Sequence, residues 1–309
     1  MISVRAQPLL ALLVLLCISP LNLLAQQKTD KLVFNVSVVD EEGKPVTDLK
    51  PENFSVWIDK KPREVVSLKI ENSPVSVGIL LDVSGSIGPN GNDPKPSQRN
   101  IREGMTHFLE VSNPANEYFA AVFDGSVALT ESWTGASESL LANLTAPGKK
   151  SNTALYDTLY YGIQRLVAGR QSRRVLIVIT DGNDNGSRRS YKEVVEQMKS
   201  SDVSIYAMAL YDDRKNVPST PPDGLRMLEG LTMMSGGRAI YLPYGATPDV
   251  VNSAFEIIAT NLQNQYQLTV DKEDSTGPEK WRKLKLKLNL GDEKGKPIVT
   301  IWSREGFYQ

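Results

Sequence analysis

The 309-residue sequence predicts an α/β protein, with a doubly wound, mostly parallel sheet inserted between N- and C-terminal β segments that meet in a small β-sandwich. Three observations predict it. The middle of the chain, residues 74–265, alternates continuous apolar runs with stretches of helical period. The two ends instead alternate apolar and polar residues with a period of two, the mark of half-buried antiparallel strands. Neither end, at roughly 45 residues, can bury a sufficient core alone, so the two are expected to pair across the insertion.

Residues 1–25 read as a signal peptide. One charge, Arg5, precedes the apolar stretch Leu9 to Ile18, and Pro20 then breaks it ahead of a small residue, Ala25, suited to cleavage. The competing reading is an uncleaved anchor, which Pro20 and Asn22 would interrupt. The single cysteine, Cys17, falls inside this segment, so disulfides contribute nothing to the mature chain. Without Arg5 the chain carries 34 basic and 36 acidic residues, a net charge of −2, which excludes a general attraction to nucleic acid. A 40% hydrophobic and 23% charged composition excludes disorder of the whole chain.

The segment 26–73 contains two alternating runs, Leu32, Phe34, Val36, Val38 and Phe54, Val56, Ile58, with a turn signal at Glu42-Gly43-Lys44-Pro45. In the middle segment, strands are expected at Val75 to Leu81, Tyr118 to Phe123, Val175 to Thr180, Val203 to Leu210 and Ala239 to Leu242. Helical spacing appears at Ile101, Met105, Phe108 and Leu109 and at Leu155, Leu159, Ile163 and Leu166. Thr247-Pro248-Asp249 has the composition of a helix start. The segment 266–309 returns to alternation, with Leu284, Leu286, Leu288 and Leu290 separated by Lys285, Lys287 and Asn289. About three strands are expected from each end.

The chemistry concentrates in three short segments. Asp82-Val83-Ser84-Gly85-Ser86 follows one buried strand, Thr180-Asp181-Gly182 closes another, and Ser151-Asn152-Thr153-Ala154-Leu155-Tyr156-Asp157 lies between them. In a parallel sheet, ligands bind beyond the carboxyl ends of the strands. A hard cation such as Mg²⁺ takes about six oxygens and keeps some waters. Asp82 and Asp181 would balance its charge, while Ser84, Ser86 and Thr153 would add neutral oxygens. Such a site stays nearly neutral, so an incoming carboxylate could complete the shell. Turn and capping chemistry is the bland explanation of any one of these loops taken singly.

These residues resemble the von Willebrand factor A domain, whose metal ion-dependent adhesion site uses an Asp-x-Ser-x-Ser loop, a later threonine and a Thr-Asp-Gly loop. The resemblance implies a Rossmann-like fold and a divalent ion, Mg²⁺ or else Mn²⁺ or Ca²⁺, held by Asp82, Ser84, Ser86, Thr153 and Asp181. The flanking ends resemble those of secreted bacterial proteins that carry such a domain. One departure is Gly88-Pro89-Asn90-Gly91-Asn92-Asp93-Pro94-Lys95-Pro96, which delays the helix after the first loop. It reads equally as a specificity loop or a tolerated insertion.

Other chemistries fit poorly. A dehalogenase-like phosphotransferase would need a carboxylate where Ser84 stands, and neither a dinucleotide nor a P-loop signature follows a strand. His107 is the only histidine, placed off the apolar helix stripe, which argues against Ser-His-Asp catalysis and multi-histidine zinc sites. Asp124 reads either as support for the site or as a turn residue, Asn183 to Ser187 as a turn, and the Lys283, Lys285, Lys287 row as a solvated strand face in preference to an anion contact. The expectation is an exported, non-enzymatic binding protein, secreted or in the periplasm or cell envelope. It would capture a protein ligand through an Asp or Glu carboxylate, without nucleic acid, and with membrane contact only through an uncleaved leader. The alternative is a structural or assembly factor of the cell envelope with a stabilising metal.

Overall fold

Strand β1 (Lys31–Val39) pairs antiparallel with β11 (Gln265–Asp271), Lys31 opposite Asp271 and Val36 opposite Tyr266, so the two ends of the chain share one sheet. In the computed structural model, described residues are 31–84, 96–129, 133–135, 138–142, 152–212, 223–273, 278–290 and 298–309. Residues 1–25, Ser86 and the insertion from Gly88 to Lys95 lie outside them.

The first sheet runs β13 (Thr300–Ser303), β1, β11, β4 (Val65–Glu71). A second runs β14 (Gly306–Tyr308), β12 (Trp281–Leu288), β2 (Phe54–Ile58), β3 (Lys61–Arg63). Each sheet therefore takes two strands from either end of the chain. Their inner faces share one apolar cluster, with Phe34, Val36 and Leu268 from the first sheet and Phe54, Val56, Ile58 and Leu284 from the second. Two sheets packed face to face over one core make a sandwich. Each end supplies four strands, one more than anticipated, because the three-residue strands β3 and β14 are too short to announce themselves by alternation. β2 turns into β3 through Asp59 and Lys60, at φ 49° and 69°, a two-residue turn whose left-handed backbone matches the twist of the hairpin.

Between the ends lies a six-stranded sheet, β10 (Ala239–Pro243), β9 (Val203–Tyr211), β8 (Arg173–Thr180), β5 (Val75–Asp82), β6 (Glu117–Phe123), β7 (Val127–Leu129). Every pairing is parallel except that of β7 on β6. β5 is buried throughout, as a strand covered on both faces must be. On one side Val77 and Ile79 pack against Ile101, Met105 and Phe108 of α1 (Pro96–Val111) and Phe255 and Ile258 of α6 (Pro248–Gln263). On the other, Leu80, Leu176 and Val178 pack against α3 (Leu155–Val167), α4 (Tyr191–Lys199) and α5 (Asp223–Ser235). Thr247 does stand at the N-cap of α6, but its side chain makes no capping bond. At α4 a full capping box forms, Ser190 and Glu193 each satisfying the other's backbone N–H. Among the described residues, no helix is long and apolar enough to cross a membrane.

Arg173, at the start of β8, joins the sheet to the sandwich. Its buried guanidinium donates to the carbonyls of Ser73 and Leu262, at 2.8 and 2.6 Å, and to Oε1 of Gln265 at 2.7 Å. Ser73 and Leu262 lie at the two crossings between sandwich and central sheet, so one cation gathers both.

Candidate metal centre

Strand order places β5 beside β8, and the chain leaves these neighbours toward opposite faces, through α1 and through α4. That is the topological switch point, where the loops diverge and open a crevice. Asp82 ends β5, and Asp181 follows the last residue of β8.

Asp82 is fully buried. Its Oδ1 accepts the backbone N–H of Ser84 at 2.9 Å, and Oδ2 accepts the Thr180 hydroxyl at 2.7 Å. Burial pushes this carboxyl up to about 6; the bonds from Thr180 and Ser84 oppose the shift, and neighbouring Asp181 adds to it. Asp181 is buried too, with Oδ1 accepting the N–H of Asn183 at 3.0 Å and Oδ2 accepting the Tyr244 hydroxyl at 3.0 Å. Burial raises the Tyr244 hydroxyl well above its ordinary value, reinforced by Asp181 and then by Asp82 and Asp212. The two aspartates thus share one locality. Among the described residues, no lysine or arginine forms an ion pair with either of them.

The second loop is held by its backbone. The N–H of Thr153 donates to Oδ1 of Asn185 at 2.7 Å, and its carbonyl accepts from Asn185 and Gly186 at 3.1 and 2.9 Å. Ala154 donates to the carbonyl of Asp124 at 2.7 Å. One turn on, Asp184 accepts from Tyr156, Ser187 accepts from Asp157, and the Asp157 carboxylate accepts from Arg188 and Arg189. The 183–187 run, expected only as a turn, therefore clasps the Thr153 loop to the strand that carries Asp181. Asp124 makes a turn through Ser126 and supports Thr153 through its backbone carbonyl.

The third loop owes its path to two glycines. Gly182 has φ +79°, and a Cβ there would lie 2.5 Å from the carbonyl carbon of Gly224, in the first turn of α5. The backbones touch, and only glycine permits it.

Of the sequence-derived set, Asp82, Ser84 and Asp181 lie near one another as buried residues at the carboxyl edge of the sheet, and Thr153, also buried, is tied through Asn185 to the loop after Asp181; Ser86 lies outside the described residues. Thr180 belongs to the Thr-Asp-Gly segment but is assigned no role by the sequence, and Tyr244 and Asn185 support the site without a motif signal of their own, since each acts through a hydrogen bond to a residue distant in sequence. Among the described residues no group of three or more His, Cys, Asp or Glu is assembled. Two carboxylates with hydroxyl-bearing neighbours suit a hard cation that accepts neutral oxygens, and do not suit zinc.

Residues 76–220 match the family model of the von Willebrand factor type A domain. The chain carries a von Willebrand factor A domain. Two solved structures are similar to it in fold, and a third is more distant. A von Willebrand factor type A protein from Catenulispora acidiphila aligns over 89% of this chain and 72% of its own, at 10% identity and TM-score 0.50. Proximal thread matrix protein 1 of the mussel byssus aligns over 67% of this chain and 51% of its own, at 15% identity and TM-score 0.50. The PilB minor pilin of Streptococcus sanguinis aligns over 62% of each chain, at 13% identity and TM-score 0.47. The chain thus spans less than two thirds of the byssus protein and of the pilin. No curated protein matches in sequence. A domains are typically interaction modules rather than enzymes.

Proposed function

We propose that this protein is an exported, non-enzymatic adhesion-type module that binds a protein ligand in a divalent-metal-dependent way. One observation carries the reading: two buried aspartates, Asp82 and Asp181, meet at the switch point, and among the described residues no lysine or arginine is paired with them. A Mg²⁺, Mn²⁺ or Ca²⁺ ion would be held by Asp82, Ser84, Ser86, Thr153 and Asp181, and would supply a positive centre for an Asp or Glu of the partner. Thr180 and Tyr244 orient the two carboxylates, and the Asn185 clasp fixes the threonine loop between them. Export rests on the leader at residues 1–25, with 26–73 and 266–309 forming the sandwich that carries the A domain at 74–265.

Calorimetric titration of the mature protein with Mg²⁺ and Mn²⁺, beside Asp82→Ala and Thr153→Ala, tests the site. Binding by wild type and loss in both variants is expected; equal binding by Asp82→Ala refutes the assignment. A second reading, a stabilising metal in an envelope assembly factor, is favoured by the closed bonding of Asp82 to Thr180 and Ser84. Metal-dependent capture of an acidic partner supports adhesion, while a metal-dependent rise in Tm with no metal-dependent partner supports the structural role.

A further inference from the structure

On the outer face of the second sandwich sheet lies a groove of about 620 Å³, remote in sequence from the metal centre. Two tryptophans line it, Trp57 on β2 and Trp281 on β12, with Lys60, Lys283 and Lys285 between and beside them. Lys285 stands opposite Trp57 in the ladder, and Lys283 opposite Gly306. Inward-facing Leu284 and Ile58 belong to the core, so the pleat directs the lysines and indoles outward.

The groove is built on fixed parts. The carboxylate of Asp59 accepts from the Arg282 guanidinium and from the Lys283 N–H, which anchors the turn that carries Lys60. Trp281 packs edge-on against Tyr308 at 5.3 Å, with its ring over Gly306, where a Cβ would lie 2.6 Å away. None of the three lysines has a salt-bridge partner among the described residues, and Glu305 is the only acid lining the groove.

We propose that this groove binds an acidic polysaccharide, a chain of uronic acid units. Three exposed ammonium groups around one groove favour an anionic ligand over a neutral one. The half-buried indoles of Trp57 and Trp281 leave ring surface in the groove, which suits a ligand that also offers flat apolar surfaces, as sugar rings do through their C–H faces. β14 already pairs with Trp281–Lys283 of β12 and β3 with Val56–Ile58 of β2, so a peptide cannot add as a further strand beside either tryptophan. A nucleic acid would also stack, but its dense phosphates suit a strongly basic surface, whereas this chain has a net charge of −1. Lys283 and Lys285, about 7 Å apart along one strand, meet a sparser row of carboxylates.

The test is a tryptophan-fluorescence titration of the whole mature protein with a galacturonic acid hexamer in EDTA, which keeps the metal centre out of the reading. Neutral maltohexaose, hexaglutamate and a thymidine hexanucleotide are run beside it. The uronate is expected to bind, with affinity falling about tenfold from about 50 to about 500 mM salt. Trp57→Ala and the double variant Lys283→Ala/Lys285→Ala should each weaken it at least about tenfold. The lysines are exposed and Trp57 is half-buried on the outer face, and matched melting curves separate loss of binding from loss of fold. If Trp57→Ala unfolds, the lysine double variant decides. Absence of uronate binding, or equal binding in the folded variants, overturns the proposal. Tighter binding of hexaglutamate or the oligonucleotide that the same variants abolish also overturns it, reassigning the groove to an acidic protein or to nucleic acid.

Discussion

Thr180 donates its hydroxyl proton to Oδ2 of Asp82 across 2.7 Å, so the last residue of β8 holds the last residue of β5. Thr180→Val keeps the shape and removes the donor, leaving one oxygen of a buried carboxylate without that bond. A loss of about 1–3 kcal/mol is expected by urea denaturation. An unchanged midpoint would show that the bond contributes nothing.

Asp82 titrates against stability when no metal is bound. Its folded value, about 6, exceeds the ordinary 3.8, so its contribution to the stability of the metal-free protein is greatest below about 4 and is lost as pH rises toward 6. Asp82→Asn removes this dependence. At neutral pH in EDTA the variant should be more stable than wild type, by an amount on the order of 2 kcal/mol, yet gain no Tm from Mg²⁺. A less stable variant in EDTA would contradict the sign.

Glu117 behaves oppositely. Burial pushes its carboxyl up, but the bonds from Ser76 and Arg170 together outweigh it and hold it below 4.5. Its contribution is therefore complete above the unfolded-chain value and vanishes as pH falls through the folded one. Glu117→Gln should cost about 1–3 kcal/mol at neutral pH, with the difference from wild type shrinking on acidification. Parallel pH–stability curves for the two proteins would count against this role.

Gly182→Ala should damage the site and the fold together, because φ +79° and the 2.5 Å approach to Gly224 both reject a methyl group. More than about 2 kcal/mol is expected from the melting curve. Gly245→Ala, where a Cβ meets nothing within 4 Å, is the control and should melt like wild type.

Deleting residues 266–309 removes β11, β12, β13 and β14, the partners of β1 and β2. Limited trypsin digestion should then cleave within residues 31–71 faster than it does in the intact protein. Equal resistance would mean that the N-terminal strands hold without those partners.

Much of this arrangement was legible because the residues concerned obey one-dimensional rules. The unbroken apolar run Val75 to Leu81 announced a strand covered on both faces, and Leu284, Lys285, Leu286, Lys287 announced one covered on a single face. Asp82 and Asp181 were legible because each ends such a run. Tyr244 was not, since its bond to Asp181 follows from β10 lying two strands from β8, a relation between strands and not between neighbouring residues. The Asn185 clasp was missed for a related reason. An Asn/Gly-rich stretch signals a turn whether or not its amide happens to meet the backbone of a loop from elsewhere. Likewise Trp57 and Lys285 face each other only once the register of β12 on β2 is known.

The antiparallel match of β1 with β11 also sets an order of events. During synthesis the first strands emerge long before the strands that pair with them, while the A domain follows as a unit whose own sheet closes without either end. The earliest-made strands are therefore among the last to fold. Until residues 265–309 arrive, Phe34, Val36, Phe54 and Val56 stay unburied, and a ribosome that stalls between residues 265 and 300 releases a finished A domain trailing an adhesive ribbon of β-forming chain.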